Sequence, residues 1–127
     1  MIIPVIGVNE YVDTGKELSL DLWHLPYTPF PGDGGNVVIA GHRISYASIL
    51  PPPFFYLNRV EKGDIVYLEY RRNRYIYTVN SKEIVEKKEI KYEKRLEGNE
   101  TLTLYTCTPL LTLRNRLIII ANLVRIE

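Results

Sequence analysis

The stretch Ile65-Val66-Tyr67-Leu68-Glu69-Tyr70-Arg71-Arg72-Asn73-Arg74-Tyr75-Ile76-Tyr77-Thr78-Val79 decides the fold class. Aromatic and β-branched residues lie on both sides of a short basic break, a composition that suits a pleated, half-buried surface. It reads as a hairpin, with a strand over residues 65–70, a connection over 71–74 and a return strand over 75–79. Glu61-Lys62-Gly63-Asp64 supplies the turn that leads into it.

Towards the N-terminus, residues 2–8 are a short apolar run with Pro4 near its start, compatible with an edge strand. Residues 9–14 are turn-like, and residues 17–23 have room for one or two helical turns. Residues 27–36 carry Pro29, Pro31, Gly32, Asp33, Gly34 and Gly35, a loop rich in breakers. That loop feeds Val37-Val38-Ile39-Ala40, a buried-strand run stopped by Gly41. A short helix is expected over residues 44–49, ended by the stiff run Pro51-Pro52-Pro53, with an aromatic anchor over residues 54–57.

Towards the C-terminus, residues 81–97 mix Lys, Glu and Arg with Ile84, Val85, Ile90 and Leu96. This is read as a strand or two with a solvated loop, not as a charged binding tail. Gly98-Asn99 marks a turn, and strands follow over residues 101–107 and 116–126. No repeat or low-complexity segment interrupts the pattern. The expectation is one domain over residues 1–127, all-β, with about seven or eight short strands closing as a barrel.

Sixteen basic residues face fifteen acidic ones, net +1, so there is no basic excess to recruit a nucleic acid. The single cysteine cannot form an intramolecular disulfide, and one Cys with two His fits no structural zinc pattern. Acidic residues are plentiful over 81–100, but no ligand spacing stands out, and no metal or cofactor is expected. No apolar run approaches the roughly 18 residues of a membrane span, and the longest candidate, residues 117–124, is interrupted by Asn122. No signal-peptide pattern precedes the first strand.

The residues able to carry chemistry lie at strand ends. In Thr101-Leu102-Thr103-Leu104-Tyr105-Thr106-Cys107, alternation puts Leu102, Leu104 and Thr106 on one face, and Thr103, Tyr105 and Cys107 on the other. The leucine face is the natural core face, which leaves Cys107 at the end of a more polar one. A lone cysteine is more often core filler than nucleophile. His42 follows a buried strand and Gly41, where the backbone is free to approach closely or take a positive φ. His24 is read as structural or rim. A thiolate and an imidazole within hydrogen-bond reach are the minimum for acyl transfer, which also needs a donor for the developing oxyanion. Arg114 and Arg116 share strand parity, so alternation does not choose between them.

Thr103-Leu104-Tyr105-Thr106-Cys107 resembles the signature of sortases, cysteine transpeptidases of the bacterial cell surface. Gly35 through Arg43 is similar to the family's histidine segment, and Phe55-Tyr56-Leu57 with Val60-Glu61-Lys62-Gly63-Asp64 to the stretch after that segment. Arg116-Leu117-Ile118-Ile119 matches the arginine that opens the last strand, and Ile3-Pro4-Val5-Ile6-Gly7-Val8 the usual domain start. Eight residues lie between Cys107 and Arg116, a short loop of the Thr-Cys-Thr-Pro type, and the proline run looks like a local insertion.

The resemblance implies a closed eight-stranded β-barrel with one or two short helices. It implies Cys107 as nucleophile, His42 as general acid/base and Arg116, not Arg114, for the oxyanion or substrate. Thr106, Ala40 and Tyr105 become substrate-binding candidates. The substrate implied is a Leu-Pro-x-Thr-Gly-like sorting signal of secreted proteins. The acceptor is an amine from a peptidoglycan precursor or a pilin lysine. The implied location is the extracytoplasmic surface, where the family is tethered by an N-terminal helix, so that this chain would be the soluble part. The other reading is a catalytically silent barrel that binds a peptide in the same groove. Convergence of His42, Cys107 and Arg116 separates the two.

Overall fold

The computed structural model describes residues 2–7, 22–24, 28–41, 54, 57–86, 100–108 and 115–127. Seven strands form one sheet: β1 (Ile2–Gly7), β2 (Leu22–His24), β3 (Asn36–Gly41), β4 (Ile65–Tyr70), β5 (Asn73–Glu86), β6 (Thr101–Thr108) and β7 (Asn115–Ile126). Their order is β1-β4-β5-β7-β6-β3-β2. The all-β class is as expected. Among the described residues there is no eighth strand, and no pairing of β1 with β2 closes the sheet. Their only helical element is a single 3₁₀ turn, Leu57–Arg59. Residues 22–23, given to a helical turn on sequence, open β2 instead and pair with Gly41 and Ala40 of β3. The helix expected over residues 44–49 and the proline run lie outside the described residues.

The hairpin forms with a tighter turn than expected. Tyr70 pairs with Asn73, leaving only Arg71 and Arg72 between the strands. Their φ values of 49° and 68° are both positive, the pattern that matches the twist of a two-residue hairpin. β5 then continues to Glu86 beyond the apolar run, because β7 supplies backbone partners as far as Asn115. Hydrogen bonding to a neighbouring strand does not require apolar side chains, and most of those over residues 80–86 stay in water.

β1 lies at one end of the order, as Pro4 suggested. Its register with β4 slips between Ile3 and Ile6, where two residues oppose one. One of the extra pair is Pro4, which has no N–H to give to a ladder.

The core is built on alternation. Val37 and Ile39 of β3, Leu102 and Leu104 of β6, and Leu117, Ile119 and Ala121 of β7 point to one side. They pack there with Val66, Leu68, Tyr75, Tyr77 and Val79 of the hairpin and with Phe54, Leu57 and Val60. Each large apolar side chain so buried contributes about 1.5–3 kcal/mol. The opposite side is also covered at its centre, since Val38, Thr103 and Ile118 are buried too. Burial on both sides accounts for the unbroken apolar run of β3 and suits its parallel pairing with β6. It also corrects the polar face assigned to Thr103.

Candidate active site at the ends of β3, β6 and β7

Three adjacent strands bring the candidate residues to one end of the sheet. β6 and β7 are antiparallel, and their register places Cys107 opposite Arg116 and Thr108 opposite Asn115. β3 and β6 are parallel, with Ala40 opposite Tyr105. The C-terminal ends of β3 and β6 therefore meet the N-terminal end of β7. Directly opposed residues of an antiparallel pair occupy the same side of a sheet. The register position of Cys107 thus shares a side with that of Arg116, and on β7 the same alternation includes Ile118.

Arg116 is half-buried, and its Nη1 donates a 3.1 Å hydrogen bond to the Asn115 carbonyl. Arg116 is also the partner of Val85 on β5, so three strands hold its backbone in one row. Ala40 and Tyr105 are each half-buried, and Ala40 is flanked on its other side by Trp23 of β2. Thr106 is 1% exposed, and its Oγ1 donates a 2.7 Å hydrogen bond to the Gly41 carbonyl. Among the described residues the positive-φ glycines are Gly32, Gly34, Gly35 and Gly63, whereas Gly41 continues the strand. His42, the next residue in the chain, lies outside the described residues, as does Arg114. Among the described residues no group of three His, Cys, Asp or Glu side chains is placed to hold a metal ion.

His24 has a structural role. It is 1% exposed, and its ring stacks on Phe30 at 4.3 Å, which in turn stacks on Tyr70 at 5.2 Å. Its Nε2 lies 2.9 Å from the Pro29 carbonyl, which can only accept, so Nε2 carries the proton. The Thr28 hydroxyl oxygen stands 3.1 Å from the same nitrogen.

Two buried polar clusters were not legible in the sequence, and both lie at the opposite end of β3 and β6. The Asn36 Oδ1 accepts hydrogen bonds from Thr101 Oγ1 at 3.0 Å and Thr103 Oγ1 at 2.7 Å. The Glu100 carboxylate accepts from the Gly32 and Gly34 amides at 2.9 and 3.2 Å, and from Tyr77 Oη at 2.5 Å. Burial first, and then the Glu100 carboxylate, push the Tyr77 phenol well above its ordinary range. These bonds tie the glycine-rich loop to the start of β6 and so fix where β3 begins. The only sequence signal was an acidic residue next to a Gly-Asn turn.

The sequence matches the Sortase domain family over residues 1–124. The chain belongs to that family. Solved structures agree with the match. Sortase C-3 of Streptococcus pneumoniae is 27% identical with a TM-score of 0.75, over 98% of this chain and 57% of that one. Sortase C-1 of Actinomyces oris is 26% identical with a TM-score of 0.77, over 97% of this chain and 67% of that one. Sortase C2 of Group B Streptococcus Pilus Island 1 is 28% identical with a TM-score of 0.74, over 97% and 67%. The chain thus spans little more than half of the pneumococcal enzyme. No curated protein sequence matches it. No helix among the described residues is long and apolar enough to cross a membrane.

Proposed function

We propose that this chain is the catalytic domain of a sortase transpeptidase, with residues 1–127 forming one unit. Its nucleophile is Cys107, its general acid/base His42 and its oxyanion or substrate-positioning group Arg116. The single observation that carries this reading is the register of β6 and β7, which sets Cys107 against Arg116 at the end where β3 delivers the chain to His42. A guanidinium stays charged and donates through a planar fork, which suits a carbonyl oxygen gaining negative charge.

These roles define the chemistry. The Cys107 thiolate attacks the threonine carbonyl carbon of a Leu-Pro-x-Thr-Gly-like sorting signal, and the oxygen takes up the charge beside Arg116. The carbon–nitrogen bond then breaks, and the His42 imidazolium protonates the departing glycine amine. This leaves a thioester on Cys107. An incoming amine gives a proton to the imidazole, attacks the thioester and releases the thiolate with an amide as product. The likeness to a Pilus Island sortase favours a pilin lysine over a peptidoglycan precursor as the amine. Ala40 and Tyr105 flank the path of the peptide. The family's setting implies an eight-stranded closed barrel on the extracytoplasmic surface, reached through a membrane tether.

The test is incubation of the protein with fluorogenic sorting-type peptides, with and without an amine acceptor. The expected result is cleavage that gives an amide product when the amine is present, and none with Cys107→Ala. Equal cleavage by Cys107→Ala would falsify the assigned nucleophile. Peptide binding without turnover by the native protein would instead establish the silent-barrel reading.

A further inference from the structure

The Cα register of β3 with β6 runs from Asn36 opposite Thr101 to Ala40 opposite Tyr105. One step further the strands are joined by a side chain, since Thr106 Oγ1 donates to the Gly41 carbonyl at 2.7 Å. At 1% exposure, Thr106 is shielded from water that would compete for this bond. The residue after Thr106 is Cys107, and the residue after Gly41 is His42. This hydrogen bond therefore joins the residues that immediately precede the nucleophile and the proton carrier.

We propose that Thr106 is a positioning residue, whose hydroxyl fixes the ends of β3 and β6 and so sets how His42 approaches Cys107. The inference rests on the roles proposed above for those two residues. It differs from a substrate-contact role, because the hydroxyl proton is committed to Gly41 and the side chain is enclosed. The physical reason is reach. Proton transfer requires heavy atoms about 2.6–3.2 Å apart, and a misplacement of roughly 1 Å costs up to about a hundredfold in rate. The paired register of β3 with β6 ends at Ala40 opposite Tyr105, and beyond it the Thr106 hydroxyl links the two strand ends. A Thr, with its restricted χ1, holds the hydroxyl in place at little entropic cost.

Thr106→Val keeps the shape and removes the donor, while Thr106→Ser keeps the donor and removes a buried methyl. Both are expected to melt below the native protein, the first through an unpaired carbonyl and the second through a small cavity. Their activities are expected to diverge. On a fluorogenic Leu-Pro-x-Thr-Gly peptide, Thr106→Ser stays within about threefold of native kcat. Thr106→Val loses about tenfold in kcat at nearly constant KM. If kcat instead follows the melting temperature, whichever variant holds the hydroxyl, the role is structural and the proposal fails. Should Thr106→Val not fold, Thr106→Ala against Thr106→Ser makes the same comparison.

A substrate-free readout separates this idea from the one beneath it. The rate of Cys107 alkylation by iodoacetamide is followed against pH in the native protein, His42→Ala, Thr106→Val, Thr106→Ala and Thr106→Ser. The profiles of Thr106→Val and Thr106→Ala are expected to move towards that of His42→Ala, and Thr106→Ser to match the native one. A profile indifferent to His42→Ala would overturn the thiol–imidazole pair and this inference with it. A profile that responds to His42→Ala but not to Thr106→Val or Thr106→Ala would overturn this inference alone.

Discussion

Cys107 and Arg116 are cross-strand partners, directly opposed on β6 and β7 where the two strands meet the end of β3. Only eight residues lie between them in the chain, yet the antiparallel pairing, not the loop, sets their separation. Arg116 is held in a row of three strands through Val85 as well. If it stabilises the charge on the attacked carbonyl, Arg116→Ala should lower kcat about a hundredfold. Arg116→Lys should recover only part of that, because a point charge does not reproduce the planar fork. Steady-state kinetics on the fluorogenic peptide decide the matter. A loss confined to KM would move Arg116 from the transition state to ground-state binding.

The Tyr77–Glu100 pair predicts that the protein loses stability in alkali. The phenol is fully buried on the Glu100 carboxylate, and its proton is held far more tightly than in the unfolded chain. Below about pH 10 both states keep that proton, so the contribution of this group is fully present and does not vary with pH. Above it the unfolded chain releases the proton and the folded chain retains it, so stability falls by about 1.4 kcal/mol per pH unit. Tyr77→Phe should flatten this decline. It should also cost about 1.5–3 kcal/mol at neutral pH through the lost charge-assisted bond. Urea unfolding at pH 7 and pH 11 measures both effects, and an equal alkaline slope in the two proteins would contradict the assignment.

The hairpin turn carries avoidable strain. Arg71 and Arg72 both take positive φ, where a side chain costs about 1–2 kcal/mol per residue. Replacing them by Asn and Gly, which accept that conformation readily, should raise stability by about 1 kcal/mol or more. Chemical denaturation of the double variant provides the measurement. An unchanged midpoint would mean that the Arg71 guanidinium, 5.3 Å from the Tyr70 ring centroid, offsets the strain.

Gly32 and Gly34 should respond differently to alanine, although both have positive φ. A Cβ on Gly32 would meet the Tyr75 hydroxyl at 2.8 Å, whereas one on Gly34 meets nothing within 4 Å. Gly34→Ala should therefore cost about 1 kcal/mol from backbone strain alone. Gly32→Ala should cost roughly twice that, because the buried Tyr75 must shift to relieve the contact. In a Tyr75→Phe background the gap between the two should narrow, and a double-mutant cycle from thermal melts tests this.

Much of this molecule can be read from its residues in order. Alternation along Thr101-Leu102-Thr103-Leu104 put the leucines in the core, where they are. The run Val37-Val38-Ile39 signalled a strand covered on both sides, and all three are buried. The hairpin was legible because β-branched and aromatic residues flank a break. Its two-residue turn was not, since arginines are poor residues for positive φ and carry no turn signal. β2 was missed for a related reason. Leu22-Trp23-His24 is too short for any periodicity, and it is a strand because β3 offers it an edge. A strand was expected within residues 81–97, but not that residues 81–86 continue β5, because backbone pairing with β7 fixes that continuity and side chains do not.

Local chemistry was enough to determine the class of fold, the alternation that makes the core, the family and the residues worth suspecting. Each rests on composition, on period or on a short motif, which neighbours in the chain impose. Tertiary structure alone decided which strands adjoin. It set Cys107 against Arg116, joined Thr106 to Gly41 across 65 residues, and buried Glu100 beneath Gly32, 68 residues away. Such pairings depend on sheet order and register, which come from packing the whole chain at once, and no stretch of residues specifies them by itself.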